Sequence, residues 1–96
     1  MKRIKIADRR CGYDRARIFV DLDKKMVLAA GRECLFFDGP LVIVNVVLTD
    51  DMANEIVSWN QTPKRYRKKS HNLRGLIATA YQKAAARDGW FEKFIK

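Results

Sequence analysis

The sequence predicts an α+β domain: an antiparallel meander of four or five strands, then two main helices and a short C-terminal helical segment. Three observations carry that prediction. Short runs rich in β-branched and aromatic residues occupy residues 1–48, separated by gaps of turn length. Gaps that short join antiparallel neighbours, since a parallel pair needs a long crossover. After Leu48 the apolar period changes from alternate positions to steps of three and four, which is the helical repeat.

The elements follow in order. Lys2–Ala7 alternates Arg3 and Lys5 with Ile4 and Ile6, the pattern of a half-buried strand. Asp8–Arg15 is polar around Gly12 and reads as a loop. Ala16–Leu22 is a second strand, and Asp23-Lys24-Lys25 a tight connection into a third at Met26–Ala30. Gly31-Arg32 reads as another connection into Glu33–Phe37, and Asp38-Gly39-Pro40 as a turn, because Asp and Gly tolerate turn dihedrals and Pro presets φ. Leu41–Leu48 is apolar at nearly every position, which predicts a central or doubly covered strand.

Thr49 then caps a helix over about 50–60, with Asp50 and Asp51 against the positive end of its dipole. Thr62-Pro63 stops it. Asn72 reads as the cap of the last long helix, whose stripe is Leu73, Leu76, Ile77, Ala80, Tyr81 and Ala84. Gly89 suits a left-handed C-terminal position. Trp90, Phe91, Phe94 and Ile95 should then fold back as a short helix. The whole chain, 1–96, makes a single compact domain, mainly β over 1–48 and mainly α over 49–96, with a basic connector at 61–72.

Composition narrows the partners. The 96 residues carry a net charge of +9, and 48% of them are hydrophobic, ordinary for a packed domain. Residues 1–61 hold ten Lys/Arg against nine Asp/Glu, whereas residues 62–96 hold ten against two. The excess positive charge is therefore concentrated in the last third, which points to a polyanion as partner. No apolar run is long enough to cross a membrane, the longest being Leu41–Leu48, and the N-terminus lacks a signal-peptide pattern. Cys11 and Cys34 read as small buried hydrophobes in a reducing compartment, so a cytoplasmic protein without membrane association is expected. Two cysteines and one histidine are too few for a four-ligand zinc site, and no cofactor or metal is expected.

The stretch Thr62–Gly75 carries the functional prediction. Lys64, Arg65, Arg67, Lys68, Lys69 and Arg74 supply phosphate contacts, whose binding is strong and salt-dependent because counterions are released. Tyr66, set between two arginines, is a ring for stacking on an unpaired base. His71 and Asn72 add donors at the start of the next helix, where phosphate is favoured. The expected function is non-catalytic binding of nucleic acid or of a nucleoprotein. A small phage- or mobile-element-type inhibitor or regulator using the same patch on an acidic protein surface is the alternative. A small ribonuclease with Arg65 and His71 as its chemical groups is the second alternative. A second basic cluster, Lys2, Arg3, Lys5, Arg9 and Arg10, falls on the solvent face of the first strand. Adjacent Phe36 and Phe37 project to opposite strand faces and so make a homodimer possible.

Val44–Tyr81 also resembles ribbon-helix-helix repressors. Leu48-Thr49-Asp50-Asp51 is similar to the entry of that family's first helix, and Leu76-Ile77-Ala78-Thr79-Ala80-Tyr81 to the stripe of its second. The resemblance implies a strand paired with its copy in a dimer and reading DNA in the major groove. Here that strand offers only Asn45 and Thr49 beside apolar Ile43 and Val47, and the connector exceeds the family's short loop. No DNA-reading residues are carried over.

Overall fold

A computed structural model describes residues 3–34 and 37–95. It has the α+β arrangement: a four-stranded antiparallel sheet in sequential order, β1 (Arg3–Cys11), β2 (Asp14–Asp21), β3 (Met26–Glu33) and β4 (Phe37–Val44). Helices α1 (Asp50–Gln61) and α2 (His71–Arg87) follow, with a 3₁₀ turn at Lys64–Tyr66 and a 3₁₀ segment at Gly89–Phe94.

Alternation along each strand divides the sheet into two faces. Ile4, Ala16, Ile18, Val20, Val27, Ala29 and Val44 point to the helices and are buried. α2 lies across this face on Leu73, Ile77, Ala80, Tyr81 and Ala84, the apolar stripe its spacing predicts. Ile56 of α1 and Phe91 and Phe94 of the C-terminal segment complete the core. The Tyr81 hydroxyl donates to the Ala16 carbonyl at 2.7 Å, tying α2 to β2. Burial pushes the Tyr81 phenol up to about 12. The other sheet face carries no covering element among the described residues.

Several boundaries differ from the sequence expectation, each for a packing reason. β1 and β2 run through the polar stretch at 8–15 and meet at a tight turn of Gly12 and Tyr13; polar contacts with the C-terminal segment, Arg9 to the Phe94 carbonyl and Asp14 to Lys93, stand here in place of apolar alternation. β3 continues through Gly31 and Arg32, leaving four strands. Asp38-Gly39-Pro40 is strand, not turn, set at an irregularity opposite Gly31. A Cβ on Gly39 would sit 2.9 Å from the Gly31 carbonyl carbon, and one on Gly31 would sit 2.4 Å from the Trp90 ring. Glycine there serves close approach, not chain reversal. β4 is an edge strand that ends at Val44, and Leu41 and Ile43 are exposed on its open face, so Leu41–Leu48 is neither central nor doubly covered. Residues 45–49 separate it from α1, unlike the direct strand-to-helix entry that the ribbon-helix-helix resemblance implies.

Thr49 caps α1 as expected, accepting from the Met52 amide at 3.2 Å. α2 is capped by Ser70 and not by Asn72, with Ser70 Oγ accepting from the Leu73 amide at 3.1 Å. It ends at Asp88, whose carboxylate accepts from the Trp90 amide, and Gly89 begins the 3₁₀ segment without a left-handed φ. Cys11 and Cys34 are free thiols and exposed, against the buried role expected of them, because both lie at hairpin ends outside the helix-covered region. Lys2 and Phe36 lie outside the described residues; Phe37 is exposed.

Candidate functional site

The connector is held at its middle and open on both sides. Arg67 folds back onto α1: its Nε donates to the Thr62 carbonyl at 2.8 Å and a terminal nitrogen to the Asn60 carbonyl at 2.7 Å. Its guanidinium lies 4.7 Å from the centre of the Trp59 ring. These bonds satisfy carbonyls left free at the end of a helix, so Arg67 is the C-terminal closure of α1. Lys69 lies over the same indole at 5.8 Å. Lys64, Arg65, Lys68, His71, Asn72 and Arg74 are exposed, and so is Tyr66, with 65% of its surface free and Arg65 5.2 Å from its ring centre.

Around the start of α2, cations from three elements converge. A cavity of about 310 Å³ is lined by Ala7, Asp8, Arg9, Lys69, Arg74 and Ile77. Arg9 reaches it from β1, Lys69 from the connector and Arg74 from the first turn of α2. Burial pushes the Lys69 amine below the usual lysine range, and the Arg9 charge adds to the effect. No carboxylate stands in the first turn of α2. Glu55 is turned to the hydroxyl of the cap Ser70, away from this cavity. Asp8 is claimed by Arg15 and Lys5; burial raises its carboxyl, but these two cations more than offset that and hold it low. An anion entering here meets donors and positive charge from all three elements.

Arg9 is the contributor that sequence reasoning misplaced. Strict alternation from Arg3 and Lys5 puts it on the solvent face. A register shift between Lys5 and Ala7 moves the next residues by one position, so Ala7 and Arg9 face the helices while Asp8 and Arg10 face away. Arg9 then lies 4.2 Å from the Tyr81 ring centre and donates to the Phe94 carbonyl at 2.8 Å. Nothing in the sequence marks that bulge. Trp59 was missed as well, although its place one turn before the helix stop was a usable signal. Its indole Nε1 is a buried donor without an acceptor among the described residues, beneath Arg67 and Lys69.

His71 is exposed at the first position of α2. Among the described residues no group of three or more His, Cys, Asp or Glu is placed to hold a metal ion. No helix among them is long and apolar enough to cross a membrane. Comparison with protein families, curated proteins and solved structures finds no match for this chain.

Proposed function

We propose that this protein binds nucleic acid, free or within a nucleoprotein, without catalysis, through the connector and the first turn of α2. The observation that carries the proposal is the convergence of Arg9, Lys69 and Arg74 on one cavity at a helix start that has no carboxylate in its first turn. Lys69, partly desolvated, stands with Arg9 and Arg74 beside a positive dipole end, and a phosphate is favoured by both the cations and the dipole. Exposed Lys64, Arg65 and Lys68 extend the positive surface along the connector, and exposed Tyr66 supplies a ring where a base can stack.

The test is a titration of labelled single-stranded RNA, single-stranded DNA and duplex DNA at two salt concentrations, with Arg65→Gln/Lys68→Gln as the variant. Both side chains are exposed, so the melting temperature should hold. Affinity should fall for every sequence, and the log–log salt slope on a duplex should shrink by roughly two units. Wild-type protein that binds none of the three ligands, or a variant that binds as tightly as wild type, would overturn the proposal.

A further inference from the structure

The open face of the sheet collects charge that lies scattered in the sequence. Register places Arg3, Lys5 and Arg10 of β1, Arg15 and Arg17 of β2 and Arg32 of β3 on that face. Its acids are Asp8, Asp21 and Asp38. Asp8 is bound to Arg15 and Lys5, and Asp21 is buried with its carboxylate accepting from the Asp23 and Lys24 amides. Asp38 is the register partner of Arg32 at the far strand. Arg17 and Arg32 each keep a buried Nε donor with no acceptor among the described residues. Beside them lies a hollow of about 340 Å³ whose lining includes Arg3, Arg17, Phe19, Ala30 and Leu41 and one acid, Asp38, with the Arg17 guanidinium 5.5 Å from the centre of the Phe19 ring.

This face and the connector are not separate patches. A groove of about 230 Å³ runs over the β1 edge, lined by Lys5, Ile6, Ala7 and Asp8 on one side and Trp59, Arg67 and Lys69 on the other. Positive charge thus passes from the helix side of the sheet, around its first edge, to the open side. The body it turns around measures 32 × 29 × 27 Å. A DNA duplex is stiff over about 150 base pairs and cannot follow a turn around one strand edge on so small a body. A single strand bends freely, and its exposed bases can use aromatic and guanidinium planes.

We infer that the ligand is single-stranded nucleic acid, running from the connector around the β1 edge onto the open sheet face, where Arg17 and Arg32 hold phosphate and Phe19 with Arg17 forms a base platform. The inference rests on the nucleic-acid reading above and adds the ligand's strandedness and a second contact surface. A duplex reaches only the connector side. A short single strand reaches one surface, and a long one reaches both.

The experiment is fluorescence anisotropy with single strands of about 4 and about 16 nucleotides, a span covering known single-strand site sizes, and a duplex of the longer length. The variants are Arg17→Gln/Arg32→Gln on the sheet face and Arg65→Gln/Lys68→Gln on the connector. A second face variant, Arg3→Gln/Lys5→Gln, is used if the first is poorly folded by circular dichroism. Wild type should bind the long strand most tightly. The face variant should lose roughly tenfold on the long strand, with a smaller salt slope, and nothing on the duplex. The connector variant should weaken all ligands. A face variant that binds the long strand like wild type, or loses equally on the duplex, overturns the inference while leaving the connector reading intact. Displacement of the long strand by polyglutamate at equal charge also overturns it, and points to an acidic protein surface as the partner. A connector variant without effect sinks the parent reading instead.

Discussion

The two helices of this protein begin in opposite electrostatic states. α1 starts behind Thr49 with Asp50 and Asp51 in its first turn, and Asp50 is bridged to Lys25, which holds its carboxyl below the usual range. Its other end is closed by Arg67, hydrogen-bonded to the Asn60 and Thr62 carbonyls. Both ends of α1 thus meet charge of the helpful sign from within the chain. α2 starts behind Ser70 with His71, Asn72 and Arg74, and with Lys69 and Arg9 nearby. Positive charge stands there against a positive dipole end, and the nearest carboxylates, Glu55 on the Ser70 hydroxyl and Asp8 with Arg15 and Lys5, stand outside the first turn. The first helix carries its acids in its own first turn; the second has only the Ser70 cap and, in its first turn, no acid.

Breaking the support beneath α2 should have the largest effect. Phe91 is fully buried in the core that α2 shares with the C-terminal segment. Phe91→Ala should cost about 3–5 kcal/mol in denaturant unfolding. An unchanged midpoint would mean that α2 is not held from this side. A smaller effect sorts the connector itself. Arg67→Ala removes two charge-assisted bonds and the contact with Trp59, and should cost about 1.5–3 kcal/mol. Lys68→Gln, an exposed neighbour, should stay within about 0.5 kcal/mol of wild type. Equal losses from the two would show that Arg67 does not close α1.

That contrast inside a run of six residues was hidden in the sequence, where Lys64 to Lys69 looks uniform. Composition locates a charge excess, but which cation is spent on a helix end depends on where the chain turns back. What was legible had a short-range cause: the Thr49 cap with its two aspartates, the stripe from Leu73 to Ala84, and the aromatic return at Trp90–Phe94. Misreadings arose where tertiary packing overrode a local signal. Asp38-Gly39-Pro40 carries turn residues but serves a close crossing over Gly31. Asp8–Arg15 lacks apolar alternation because its contacts with the C-terminal segment are polar, Arg9 to the Phe94 carbonyl and Asp14 to Lys93. Arg9 changed face through a bulge, and the open-face cations became a group only once three strands were in register. None of these is readable without knowing which residues stand opposite one another.

The smallest effect is the sharpest test of the comparison. Asn72→Asp places a carboxylate in the first turn of α2, giving it what α1 has in Asp51. The free variant should be more stable than wild type by about 0.3–1 kcal/mol at low salt, with the gain fading as salt screens it. Asp51→Asn in α1 should lose a similar amount. The same Asn72→Asp carboxylate occupies the region proposed for phosphate, so affinity for a single-stranded oligonucleotide should fall several-fold while stability rises. The pH dependence carries a further sign. Burial holds the Lys69 amine below the ordinary lysine range in the folded protein, so the unfolded chain binds more protons in that window and stability gains from this residue as pH rises toward the ordinary lysine value. Stability and affinity that rise together in Asn72→Asp would mean that the bound anion does not use this helix end. Stability that falls would mean that the start of α2 is not electropositive, and the contrast between the two helices would fail with it.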